Sequence, residues 1–324
     1  MERRQQKLWK QFSCQCLTNA TVSQTLDASK SISNSMNPMV SRRTFVQHTV
    51  LGSLGLLAGN SLLQAQEGAG KLKEIGLILG VLQKELKADW EGTLRKVAAM
   101  GYTQLEFGTH YGESAVTFKQ FLKEVGLKPV AAGSSMAQMK KADVFAKMVE
   151  QAQFFGKKYL VCYWPWMDSG DNKKLDDFKK AAEDLNNLGE LCHKNGLRLA
   201  MHNHDKEFVP VQGYQWGYEV LLRETDPARV VMLLDLYWIT KGGGDPVQFL
   251  KSYPDRFELF HVKDMAKTPE KLYTCPGYGS IDFKSIFAQA KKTKIRHYIV
   301  EIDQAENPLT CVGDSISYLR KLRY

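Results

Sequence analysis

The chain has 324 residues, with 44 Lys/Arg against 35 Asp/Glu and a formal net charge of +9. Residues 1–66 carry seven of the basic and two of the acidic residues, so the rest holds 44 − 7 = 37 against 35 − 2 = 33, a net of +4. With no Lys/Arg stripe interleaved with aromatics, the basic balance does not indicate a nucleic-acid partner.

Residues 1–40 are polar, rich in Ser, Asn and Gln, and lack apolar periodicity. They are expected to be disordered. Export signals begin near the start of a chain, so Met36 or Met39 is the better initiator and the first residues read as a mis-called start. Residues 41–66, SRRTFVQHTVLGSLGLLAGNSLLQAQ, place Arg42-Arg43 ahead of a short, mildly apolar run. This is the pattern of a twin-arginine export signal, with cleavage near Ala65 and a periplasmic destination. The run is too short and too rich in Gly and Ser to span a bilayer, so no stable membrane insertion is expected after its removal.

The remaining 67–324, about 258 residues, has the usual size of one (β/α)₈ barrel. Apolar runs read as buried parallel strands over 74–82, 104–108, 128–135, 158–165, 198–204, 230–237, 257–263 and 297–302. Amphipathic stretches separate them. The segment 175–195 has Leu, Phe and Ala at helical spacing and Gly196 as a stop. Asp245-Pro246 reads as an N-cap with Pro at the first helical position. Ser280 reads as a cap for the helix that follows it. A last helix is expected over 312–323. The fold class is therefore α/β, a single TIM barrel. An open doubly wound sheet is the competitor, but no glycine-rich phosphate loop follows the first strand. Cys162, Cys192, Cys275 and Cys311 lack metal-like spacing, and no disulfide pairing follows from the sequence.

Four consecutive units end a strand in a residue that can bind a metal: His202 (with His204 and Glu207 beyond it), Asp235, His261 and Glu301. Residues 202, 235, 261 and 301 are 33, 26 and 40 apart, one strand–helix–strand repeat each time. Successive barrel strands are neighbours and share one mouth, so these residues are expected to converge. Two imidazoles and two carboxylates suit Mn²⁺, Zn²⁺, Co²⁺ or Fe²⁺ better than Ca²⁺. Lys263 alternates with His261 and is expected to point into the same mouth. There it could steady a developing oxyanion, with Asp264 capping or pairing nearby. Trp164, Trp166, Tyr237 and Trp238 gather at strand ends. Trp164 and Trp238 in particular offer faces on which a sugar could stack.

The strand-2 glutamate of LEFGTHYG, the HNHDKEF block, the LLDLYW aspartate, HVKD, PGYGSIDF, VEID and the SISYLRKL tail together resemble the sugar phosphate isomerase/epimerase group of xylose isomerase-like TIM barrels. The resemblance covers nearly all of 74–322. It implies a small-molecule carbohydrate substrate and one divalent metal held by a strand-5 glutamate, Asp235, His261 and Glu301. It also implies a substrate contact at Glu106. The chain departs from the family pattern at strand 5, where His202 replaces the glutamate. Family epimerases use two metal-bound glutamates, one on each sugar face, and here only Glu301 remains. A replacement base must come from His204, Glu207 or Glu106.

The first expectation is thus a metal-dependent isomerase or epimerase acting through an enediolate on a free sugar, keto-sugar or oxidised glycoside. The runner-up is a lyase or dehydratase using the same proton abstraction. A non-catalytic exported carbohydrate-binding barrel is the third. An endonuclease of the same superfamily would need more ligands and a basic surface. The sequence leaves open a homo-oligomer, the sugar and the metal.

Overall fold

The computed structural model describes residues 70–166 and 173–324. The expected export signal and the polar segment before it lie outside the described residues. Eight parallel strands form the barrel: β1 (Gly76–Ile78), β2 (Gln104–Glu106), β3 (Lys128–Ser135), β4 (Tyr159–Trp164), β5 (Arg198–His202), β6 (Val230–Asp235), β7 (Phe257–Val262) and β8 (His297–Val300). Each pairs with the next, and β8 returns to β1 with Gly76 opposite Ile299, so the sheet is closed. The open-sheet alternative is excluded.

Helices follow the strands on the outside: α1 (Trp90–Met100), α2 (Ala115–Glu124), α3 (Ala142–Phe155), α4 (Leu175–Lys194), α5 (Gly217–Glu224), α6 (Pro246–Ser252), α7 (Phe283–Ala290) and α8 (Pro308–Lys321). Gly196 takes the left-handed conformation just past α4, with φ +72°, where a residue with a Cβ would be strained. The Asp245 carboxylate accepts from the amides of Val247 and Gln248, and Pro246 opens α6. Four expectations need correction. The run 74–82 is a strand only over Gly76–Ile78 and continues as a 3-10 helix over Leu79–Leu82. The run 230–237 ends as a strand at Asp235, whose carboxylate caps a helix over Leu236–Lys241. Helix α8 begins at Pro308, not 312, because Pro supplies a ready-made first turn with no amide to satisfy. The cap of α7 is Asp282, whose carboxylate accepts from Ser285; Ser280 instead donates to the carbonyl of Met265.

Strand alternation divides the apolar residues into two layers. Tyr159, Val161, Ala200, Val231, Leu233, Leu259 and Ile299 fill the barrel interior. Leu160, Cys162, Leu199, Met201, Met232, Leu234, Phe260 and Val300 face the helices. Carrying the inward parity to the C-terminal strand ends gives Glu106, Tyr163, His202, Asp235, His261, Lys263 and Glu301. The same alternation that builds the core therefore aims seven polar groups at one mouth.

After β7, the Asp264 carboxylate accepts backbone amides from Gly277, Gly279 and Ile281 and so organises the PGYGSI loop. A Cβ on Gly279 would overlap that carboxylate. Cys275, at the start of the loop, forms a disulfide with Cys311 of α8. Loop and helix are thereby tied together beside the mouth.

Candidate active site

His202, Asp235 and His261 form a buried cluster in which one potential ligand atom from each lies within 4.8 Å of the others. The register explains this: Asp235 sits directly opposite His261 across the β6–β7 pair, and His202 is on β5 next door. His202 Nε2 lies 3.4 Å from Asp235 Oδ2. Two ligands bound at about 2.1 Å with a tetrahedral angle would be about 3.4 Å apart, so this spacing suits a shared ion. The Asp235 position is fixed from two sides. Its other oxygen accepts from the amide of Trp238, capping the helix that follows β6, and its own amide donates to Asn203 Oδ1.

Glu301, the fourth residue expected at that point, does not join the cluster. Its carboxylate is drawn to Lys263, whose Nζ lies 2.6 Å from Glu301 Oε2, 2.8 Å from Asp303 Oδ2 and 3.7 Å from Asp235 Oδ2. Lys263 is fully buried and lies 5.0 Å from the centre of the Trp238 ring. One ammonium thus faces three carboxylates. Burial pushes Glu301 up to about 8; Lys263 opposes this, while Asp303 and Asp235 add to it. Burial alone would raise Asp235 too, but Lys263 and His202 hold it below the usual carboxylate range. Burial would lower Lys263, and its carboxylate partners keep it charged.

The His204 ring packs between Trp164 and Trp238, with centroids 5.0 and 5.2 Å away, and 4.8 Å from His202. Burial, reinforced by His202, lowers its pKa well below the usual value, so the imidazole is neutral at neutral pH. Its Nδ1 has no hydrogen-bond partner. His202 Nδ1 and His261 Nδ1 are likewise unpartnered and buried.

Glu207 and Glu106 are placed differently from what the sequence suggested. Glu207 is fully buried; one oxygen accepts from the indole of Trp166 at 3.1 Å, the other from the amide of His204 at 2.6 Å. It braces the turn that carries His204 and does not orient the His204 ring. Burial raises its pKa to about 7. Glu106 is also fully buried and is engaged by His261 and by the hydroxyl of Tyr163. Trp166 belongs with Glu207, not with the rim aromatics. Tyr163 and Asp303 escaped the sequence reading. The signal for both was parity: Tyr163 follows Tyr159 and Val161 on the inward face, and Asp303 follows Glu301 by two.

A closed parallel barrel with its ionisable side chains gathered at the C-terminal strand ends is the architecture of a TIM-barrel enzyme. The xylose isomerase-like TIM barrel family model matches residues 94–322, and the chain belongs to that family. It is similar to the inosose dehydratase of Geobacillus kaustophilus (strain HTA426), 24% identical over 267 residues that cover 71% of this chain and 86% of the relative. A sugar phosphate isomerase/epimerase from Parabacteroides distasonis ATCC 8503 superposes with a TM-score of 0.65 at 26% identity, covering 78% of this chain and 95% of the other. The IolI protein with a bound zinc atom superposes with a TM-score of 0.60 at 17% identity, covering 76% and 95%; at that identity the likeness shows the fold alone. The relatives that show the family's chemistry are enzymes of the isomerase, epimerase and dehydratase classes.

Proposed function

We propose that the chain is a metal-dependent lyase acting on a ketone-bearing sugar or cyclitol. The hydrogen beside the carbonyl is removed and the hydroxyl on the next carbon leaves as water. The observation that carries this reading is the contrast between His204 and Glu301. His204 is a neutral imidazole with a free ring nitrogen. Glu301 is a carboxyl group that burial pushes up to about 8 against the pull of Lys263, which lets it act as a proton donor. That is one base and one acid, which a β-elimination needs; epimerisation needs a base on each face.

His202, Asp235 and His261 would hold the metal, with Glu301 beside them. The donor set fits, because the buried Asp235 carboxylate lies between two buried imidazoles, with His202 Nε2 3.4 Å from Asp235 Oδ2 and His261 Nδ1 without a partner. Imidazole and carboxylate donors suit Mn²⁺, Zn²⁺, Co²⁺ or Fe²⁺. Such an ion, when bound, supplies Lewis-acid polarisation of the substrate carbonyl.

His204 takes the α-proton as the C–H bond breaks and the double bond forms. Glu301 gives its proton to the departing hydroxyl, so that water leaves. The proton on His204 then returns to Glu301, and the site is reset. Lys263, fully buried among Glu301, Asp303 and Asp235, orients Glu301 and offsets the charge at the mouth. Trp164 and Trp238 flank His204 and offer ring faces to the substrate's C–H surface. The similarity to inosose dehydratases supports elimination from a keto-cyclitol.

Isomerisation or epimerisation is the second reading, favoured by the Parabacteroides relative. It shares the first proton abstraction but lacks the strand-5 carboxylate, replaced here by His202. Incubation with free keto-cyclitols and keto-sugars in D₂O, followed by mass spectrometry, separates the two. A product lighter by one water is expected. A product of equal mass carrying deuterium would replace the lyase reading with the isomerase reading. We also propose that the protein works after export, which the Cys275–Cys311 disulfide supports, since such bonds persist in oxidising compartments.

A further inference from the structure

Glu106 is the residue whose surroundings agree least with a substrate contact. It has no exposed surface, and both oxygens are already used. Oε2 lies 3.2 Å from His261 Nε2, and Oε1 accepts from the Tyr163 hydroxyl. A carboxylate can only accept, so Nε2 of His261 carries the hydrogen and its lone pair is on Nδ1. That Nδ1 has no partner, is buried, and belongs to the ring that clusters with His202 and Asp235. We infer that Glu106 is a positioning residue for His261: it fixes the ring's orientation and tautomer so that Nδ1 presents a lone pair to the metal, and Tyr163 holds Glu106 in turn. This rests on the metal reading of the cluster.

The surrounding packing is built for such rigidity. Gly133 of β3 lies under Tyr163; a Cβ there would come within 2.6 Å of the tyrosine ring, so glycine makes the room that the ring occupies. Phe107, the next residue after Glu106, is pinned at both backbone groups. Its amide donates to Ala131, and its carbonyl accepts from buried Lys157 Nζ at 2.6 Å. The Glu106 backbone therefore has little freedom, and its side chain is clamped at both oxygens. Three strands, β2, β4 and β7, meet in this relay. A carboxylate behind a ligating histidine commonly raises metal affinity by about 10–100-fold.

The test is zinc binding by chelator-stripped protein, titrated against a chromophoric competitor without substrate. Glu106→Gln is expected to weaken the zinc Kd by about 10–100-fold, and Tyr163→Phe by a smaller factor, with little change in KM for whatever zinc-loaded enzyme remains. In the zinc-loaded wild type, ¹⁵N NMR of His261 should show Nε2 protonated. Three results would overturn the inference: an unchanged zinc Kd in Glu106→Gln with a raised KM, an unchanged Kd in Tyr163→Phe if Glu106→Gln does not fold, or a protonated Nδ1. Failure of the wild type to bind zinc, cobalt or manganese at all would instead remove the metal reading itself, and this inference with it.

Discussion

The two ends of the barrel both bury polar side chains, but they treat them in opposite ways. At the N-terminal end the groups satisfy one another. Buried Gln104 and, at the solvent edge, exposed Lys128 donate to the two oxygens of exposed Glu74, and His297 Nδ1 pairs with Gln104 Oε1. Tyr159 and Arg198 donate to the two oxygens of Glu258. In that network Arg198 Nε is the one side-chain atom left buried without a partner. At the C-terminal end Nδ1 of His202, His204, His261 and, in the loop after β2, His110 is left unpartnered, and one ammonium serves three carboxylates. A buried polar atom without a partner costs about 1–3 kcal/mol. The bottom is arranged for stability. The mouth leaves imidazole nitrogens without partners beside a buried carboxylate, the donors that a bound ion would engage.

The sharpest way to break this contrast is to change one residue at each end. Asp235→Asn keeps the cap to Trp238 but removes the charge between His202 and Lys263. It is expected to abolish metal retention and turnover, as read by metal analysis and product formation, while the fold survives. Metal retained at the wild-type level would dissolve the distinction between the two ends. Glu258→Ala should do the reverse. Removing a nearly buried carboxylate from Arg198 and Tyr159 costs about 3 kcal/mol of stability, seen in chemical denaturation, with zinc affinity unchanged.

Lys157 allows a finer comparison, because it is buried without a carboxylate partner close by. Burial lowers its pKa from 10.5 to about 7, against a raising influence from Glu106. The folded state therefore binds fewer protons than the unfolded chain between these values, and this group's contribution makes stability rise with pH across that window. The slope has a ceiling of about 1.4 kcal/mol per pH unit. Lys157→Met should flatten the rise, measured as Tm against pH from 7 to 10; an unchanged slope would show that Lys157 stays charged. The smallest effects concern the loop at the mouth. Asp282→Ala should cost about 1 kcal/mol as a lost helix cap. Ser280→Ala should stay within about 0.5 kcal/mol, since Ser280 caps nothing.

Much of the scaffold was legible before any coordinates, because it rests on local pattern. The apolar run 257–263 reads as a buried strand at that length and spacing, and 230–237 overran its strand by two residues only because Asp235 caps the helix that follows. Asp245-Pro246 and Gly196 punctuate helices by conformational rules that need no partner. Ser280 failed because Asp282, two residues on, is an equally good cap, and the choice between them was made by the Asp264 carboxylate gathering the loop's amides. The Cys275–Cys311 pairing could not be read at all, since spacing alone does not say which helix passes beside a loop.

For the site, the sequence alone determined which residues lie at strand ends and on which face, because side chains alternate with period two. His202, Asp235, His261, Lys263 and Glu301 were found that way. Tertiary structure decided everything that depends on distances between strands far apart in the chain. It drew Glu301 to Lys263 and away from the three-residue cluster, and turned Glu207 into a brace for the His204 turn. It also brought Glu106, 155 residues before His261, against that histidine's ring. Those outcomes depend on barrel closure and on the competition among buried charges for few partners, and neither is written in any local stretch of sequence.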